Sequence, residues 1–190
     1  MPALLIAAAL MGAAQAPAPL PPDAGAVTSV CSDETAHQFD FLLGDWTVTA
    51  GGGTGVLARA KVERVADGCG LLETDEPVKG IGATALMAYD AGATLWRRDQ
   101  VSGDGEIVAL QGGLQDGQMV LEGDQSGPGA HMLVRITWES NGEMVHEAAE
   151  RSANGQLWNP WFERDYHKAA PPAPPPQAGP PIPPRGPSGP

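Results

Sequence analysis

Between Asp45 and His167 the chain is written in short stretches where apolar and polar residues alternate, broken by Gly, Asn and Asp at intervals of roughly ten residues. Alternation with a period of two places one set of side chains on each face of a strand. The candidate strands are Asp45–Ala50, Gly55–Val65, Gly70–Thr74, Ala83–Asp90, Thr94–Val101, Glu106–Leu114, Gln118–Gly123, Ala130–Glu139, Glu143–Ser152 and Gln156–His167. No window carries a helical stripe longer than about two turns. Short connections make consecutive strands antiparallel neighbours, and closing the sheet leaves no edge to aggregate. The pattern therefore predicts an all-β fold, an up-and-down antiparallel barrel of eight to ten strands.

Three dipeptides set the expected registers. Asn141-Gly142 and Asn154-Gly155 read as two-residue type I′ turns, with Asp116-Gly117 close behind. Around Asn141-Gly142 this pairs Trp138 with Val145, Ile136 with Glu147 and Val134 with Ala149, all facing inward. Thr137, Arg135, Glu139, His146 and Glu150 then face water. Carried through Asn154-Gly155, the same register turns Trp158, Phe162, Arg164 and Tyr166 inward. Around Asp116-Gly117 it gathers Leu110, Leu114, Met119 and Leu121. Pro160 cannot donate to a ladder, so a bulge is expected in the last strand.

Upstream of the first strand, Phe39-Asp40-Phe41-Leu42-Leu43 is an apolar run closing on Gly44-Asp45-Trp46, and it reads as a plug beneath the barrel. Alternate loops of such a barrel share a rim. The turns at Gly68, Ala91-Gly92, Asp116-Gly117 and Asn141-Gly142 fall on the rim where the first strand begins, so the plug, Cys31 and Cys69 meet there. An oxidised Cys31–Cys69 pair follows as an expectation in an exported chain.

Candidate chemistry sits inside. Trp96, Arg98 and Gln100 share one face of their strand, and Glu147 points inward in the register above. A lumen holding Arg98, Gln100 and Glu147 among Trp96, Trp158 and Phe162 suits a ligand with an apolar body and a polar head. The same groups allow an acid polarised for proton transfer, as in a barrel isomerase or cyclase, or a self-satisfied pair in a filled structural barrel. The opposite register, with Leu95, Arg97, Asp99 and Val101 inside, stays open at this point. His146 and His131 face outward and His37 and His167 lie at the margins, which disfavours haem; no metal spacing occurs and no cofactor is expected. Glu73, Asp75 and Glu76 read as a solvated turn. The Gly51-Gly52-Gly53 stretch is a rim loop, since no helix or Lys follows to hold a phosphate.

Composition adds boundaries. The 190 residues include 25 Gly and 19 Pro, and the net charge of -12 argues against nucleic acid or an anionic membrane surface as partner. Residues 1–16 are apolar with small residues at their end, a secretory signal peptide too short to cross a membrane. Residues 17–30 read as a flexible leader, 31–168 as the barrel and 169–190 as a disordered Pro-rich tail. The expected location is the periplasm or the outside of the cell, with no integral membrane segment in the mature chain.

The step Gly44-Asp45-Trp46 resembles the Gly-x-Trp that opens the first strand in the lipocalin (calycin) superfamily. The run from Cys31 to Tyr166 resembles secreted bacterial lipocalin-like domains of unknown function. Cys31, Phe39-Asp40-Phe41, Gly68-Cys69, Trp96, Gly113-Leu114, Trp138, Trp158, Phe162 and Tyr166 carry that likeness. The resemblance implies a barrel, export and an apolar ligand, and it places Arg164 as the cation packed across Trp46. It supplies no catalytic residue.

Overall fold

A computed structural model describes residues 31–129 and 131–170. The expected signal peptide and leader, and the expected tail from residue 171 onward, lie outside the described residues. Two 3-10 turns, Glu34–His37 and Asp40–Leu42, precede ten strands. These are β1 (Gly44–Ala50), β2 (Val56–Val65), β3 (Gly70–Pro77), β4 (Ala83–Asp90) and β5 (Leu95–Ser102), then β6 (Ile107–Gln115), β7 (Gln118–Ser126), β8 (Met132–Ser140), β9 (Met144–Ser152) and β10 (Asn159–Lys168). Each strand pairs antiparallel with its sequence neighbours, and β1 pairs with β10 to close the barrel.

The closed end is built as the apolar run requires. Phe39 is fully buried and meets Trp96 and Trp138 edge-on at 5.0 and 5.4 Å, while Leu42 is buried beside it. The Trp46 indole N–H donates to the Leu42 carbonyl at 2.6 Å, tying plug to first strand. The cation over Trp46 is Lys168, 3.7 Å from the ring centroid, and not Arg164. Arg164, Tyr166 and Lys168 are spaced two positions apart, so all three share a face, and Lys168 is the one level with Trp46. Lys168 also donates to the Leu43 carbonyl. Gly44 has φ +125°, and a Cβ there would sit 3.2 Å from the Lys168 ammonium, so glycine keeps that approach open. Cys31 and Cys69 form a disulfide on this rim.

One register expectation holds and two are corrected. Asp116-Gly117 is the two-residue turn expected, with φ of 50° and 87° and Leu114 paired with Met119. Leu114 itself is 52% exposed, because it stands at the turn rather than over the core. At Asn141-Gly142 the connection between paired residues is two residues longer, with Ser140 facing Val145. The Asn141 side chain accepts from the amides of Glu143 and Met144, and this moves the pairing by two. Trp138 faces Glu147 and Ile136 faces Ala149. A shift of two preserves the faces. Asn154 does not make a two-residue turn, since β9 ends at Ser152 and β10 begins at Asn159. There the Ser152 hydroxyl and the Asn154 side chain accept the amides of Gly155, Gln156 and Leu157. The Pro160 bulge is present, as a register shift between Pro160 and Phe162.

Candidate functional site

The barrel is filled at its plugged end and open at the other. Going upward along β5, Trp96, Arg98, Gln100 and Ser102 face the lumen in turn; along β3 they are Leu71, Glu73, Asp75 and Pro77. On the facing wall β9 contributes Val145, Glu147, Ala149 and Arg151, and β10 contributes Tyr166, Arg164 and Phe162. Arg97, Asp99 and Val101 are exposed, so the opposite register of β5 is excluded. Three levels result: aromatic residues at the bottom, a charged belt in the middle, and a cavity of about 320 Å³ at the mouth.

The belt joins both walls. On one, Arg98 Nη2 donates to Glu73 Oε2 at 2.9 Å and to Gln100 Oε1 at 2.8 Å. On the other, Arg164 Nε donates to Glu147 Oε2 at 2.6 Å. Two links cross the lumen. The Tyr166 hydroxyl lies 3.1 Å from both Glu73 Oε1 and Glu147 Oε2, and Arg164 Nη1 donates to Asp75 Oδ2 at 3.0 Å. Arg98 is 1% exposed and Glu147 not at all. Charges so deep persist only when paired, since desolvation costs several kcal/mol per ion. The Arg98 guanidinium also sits 5.7 Å from the Trp138 ring centroid, at the junction with the aromatic layer.

Electrostatics divide the carboxyls. Burial alone would raise Glu73, but the charges of Arg98 and Arg164 outweigh it and hold that group below its ordinary value. Burial and the Glu73 charge push Asp75 up to about 6 despite Arg164. Burial raises the Tyr166 phenol well above its usual range, keeping it a neutral donor. Both guanidiniums are raised, because the carboxylates around them outweigh the burial that would lower them.

Above this belt, the cavity is walled by Val48, Ala58, Val108, Ile136 and Phe162 and floored by Asp75, Gln100 and Arg164. Of the residues predicted from sequence, Gln100 and Phe162 line it. Arg98 and Glu147 lie beneath it, and Trp96 belongs to the bottom layer. Trp158 is not in the lumen: it lies in the loop before β10, with Arg135 of the outer face 4.1 Å from its ring centroid. The longer β9–β10 loop is the cause. Trp161, at the bulge, takes the mouth position instead and is covered by Arg151. The sequence reading also missed Glu73 and Asp75, taken for a solvated turn; β3 runs on to Pro77 and points both into the barrel. Their spacing of two, continuing from Leu71, was the available signal.

No group of three or more His, Cys, Asp or Glu side chains among the described residues is arranged to hold a metal ion. His146 pairs with Asp165 and His131 with Asp124, both on the outside. No described helix is long and apolar enough to cross a membrane. A concavity of about 670 Å³ on the outer wall, lined by Asp45, Arg59, Lys61 and Glu76, draws no buried polar group toward it. Neither a protein-family model nor a curated protein matches the sequence.

Proposed function

We propose that this chain is an exported, lipocalin-like β-barrel that binds a small molecule with an apolar body and a polar head, without transforming it. One observation carries the reading: a barrel sealed at one end opens at the other into a cavity of about 320 Å³, with apolar walls and a polar floor. That volume lies at the lower end of the range for small-molecule sites. The disulfide favours an oxidising compartment, the periplasm or beyond. The plug, the buried Trp46 after Gly44 and its covering cation support the lipocalin-like assignment. The isomerase or cyclase alternative draws less support, since neither Glu147 nor Arg98 lines the cavity. The barrel is half filled rather than filled, which weighs against a purely structural role.

Native mass spectrometry of protein purified from its own host tests this. The expected result is a co-purifying small molecule that Ala58→Trp, which fills the cavity, excludes. Protein that is empty in every preparation, in host extracts as well as after recombinant expression, would sink the reading.

A further inference from the structure

The polar floor of the cavity carries an acceptor that is left without a hydrogen bond. Arg164 uses Nε on Glu147 and Nη1 on Asp75. Gln100 gives its carbonyl oxygen to Arg98 and turns its amide nitrogen toward Ser102. At the rim, Glu106 is engaged by Gln125 and by Arg151. Asp75 lies deeper than Glu106, at the floor. Only its Oδ2 is bonded, and its Oδ1, which is buried, has no hydrogen-bond partner.

Charge points the same way. Belt and floor together hold three carboxyls, Glu73, Asp75 and Glu147, against two guanidiniums, Arg98 and Arg164. With Asp75 ionised the assembly is one negative charge in excess. An anionic head would have to share Arg164 with two carboxylates already on it, inside a chain of net charge -12. A cationic head would pair with the unbonded oxygen and neutralise the excess.

We propose that the cavity selects ligands bearing a protonated amine, with the Asp75 carboxylate as the head-group partner and the walls of Val48, Ala58, Val108, Ile136 and Phe162 holding the apolar body. This rests on the cavity being a ligand site at all. The raised Asp75 fits it, because an ionisation that is costly in the empty protein is what a bound cation would relieve. The groups around Asp75 are Glu73 on its own strand, Arg164 on β10, Glu147 on β9 and Arg98 on β5, with Lys79 and Glu106 at the rim. The residues paired with it across β2 and β4, Ala60 and Ala83, carry no charge. The cation competes with a proton for Asp75, so its affinity rises with pH until about 6 and levels off above.

Isothermal titration with octylamine, octanoate and octan-1-ol on the full chain decides the matter. Octylamine at pH 7.5 is expected to bind at least tenfold tighter than the other two, and to lose roughly tenfold at pH 5. In Asp75→Asn the preference for the amine disappears while octanol binding is kept. If octanoate or octanol binds wild type as well as octylamine does, the amine inference falls and the binding site stands. If none of the three binds, the ligand site and this inference fall together. Should Asp75→Asn not fold, the wild-type pH dependence serves: octylamine affinity flat between pH 5 and 7.5 overturns the proposal.

Discussion

Asp75 shows how much one side chain's surroundings matter. Its carboxyl is moved from an ordinary 3.8 to about 6, by burial first and the Glu73 charge second. The folded protein therefore keeps a proton that the unfolded chain releases between about pH 4 and 6. More protons bound in the native state means that stability falls as pH rises through that window. The decline attributable to Asp75 is up to about 3 kcal/mol, taking 1.4 kcal/mol per pH unit. Its side chain is 12% exposed, so little of this is lost to solvent screening. Urea titrations at pH 4 and pH 7 should show wild type losing more stability than Asp75→Asn over the interval; parallel behaviour of the two would place the proton elsewhere. Lys168 carries a complementary lesson, since a position one strand repeat past Tyr166 decided which cation reached Trp46.

Among the elements, the β6–β7 hairpin is where a Cβ added to a described glycine would meet main chain at the shortest distance. A Cβ on Gly112 would lie 2.2 Å from the Val120 carbonyl oxygen, and one on Gly123 would lie 2.0 Å from that of Ala109. Both clashes involve main chain in a paired ladder, which cannot swing aside as a side chain does. Gly123→Ala should destabilise by about 1–3 kcal/mol or more, the usual cost of overpacking. Gly113→Ala, where a Cβ meets nothing within 4 Å, should lie within about 0.5 kcal/mol of wild type. Chemical denaturation of the pair provides the comparison, and equal losses would refute the close-approach explanation. The same hairpin has the one turn whose register the dipeptide set correctly. Asn141 and Asn154 instead spent their side chains on capping amides, which lengthened their loops.

At the scale of the whole molecule, one end is held shut by three devices: the β1–β10 seam, the plug and the disulfide. Cys31 and Cys69 are 38 residues apart, and closing such a loop removes unfolded-state entropy worth about 4 kcal/mol. Replacing both cysteines by serine should lower the unfolding free energy by roughly that amount while the strand signal in circular dichroism persists. A loss below about 1 kcal/mol would mean that plug packing alone holds the end closed. Among the described residues the mouth has no comparable seal, and Leu57 and Ile81 stand exposed beside the cavity they line. Stability concentrated at one end and access at the other is the division of labour that the proposed binding role needs.

Ten strands, their order, the plug and the inward face of β9 with Glu147 were legible from alternation and turn residues, because pleat and hairpin geometry are local properties of the chain. For β5 alternation grouped Trp96, Arg98 and Gln100 on one face but left both registers open, and the closed barrel turned that face inward. What the chain could not reveal was partnership: Glu73 and Asp75 looked like a solvated turn until β3 lay opposite β10 and supplied Arg164 and Tyr166. Trp158 and Trp161 exchanged roles through a loop whose length depended on side-chain caps. Periodicity fixes which face a residue takes. Only the closed barrel, by bringing β3 and β5 across the lumen from β9 and β10, decides which buried charges meet and which acceptor is left without a hydrogen bond.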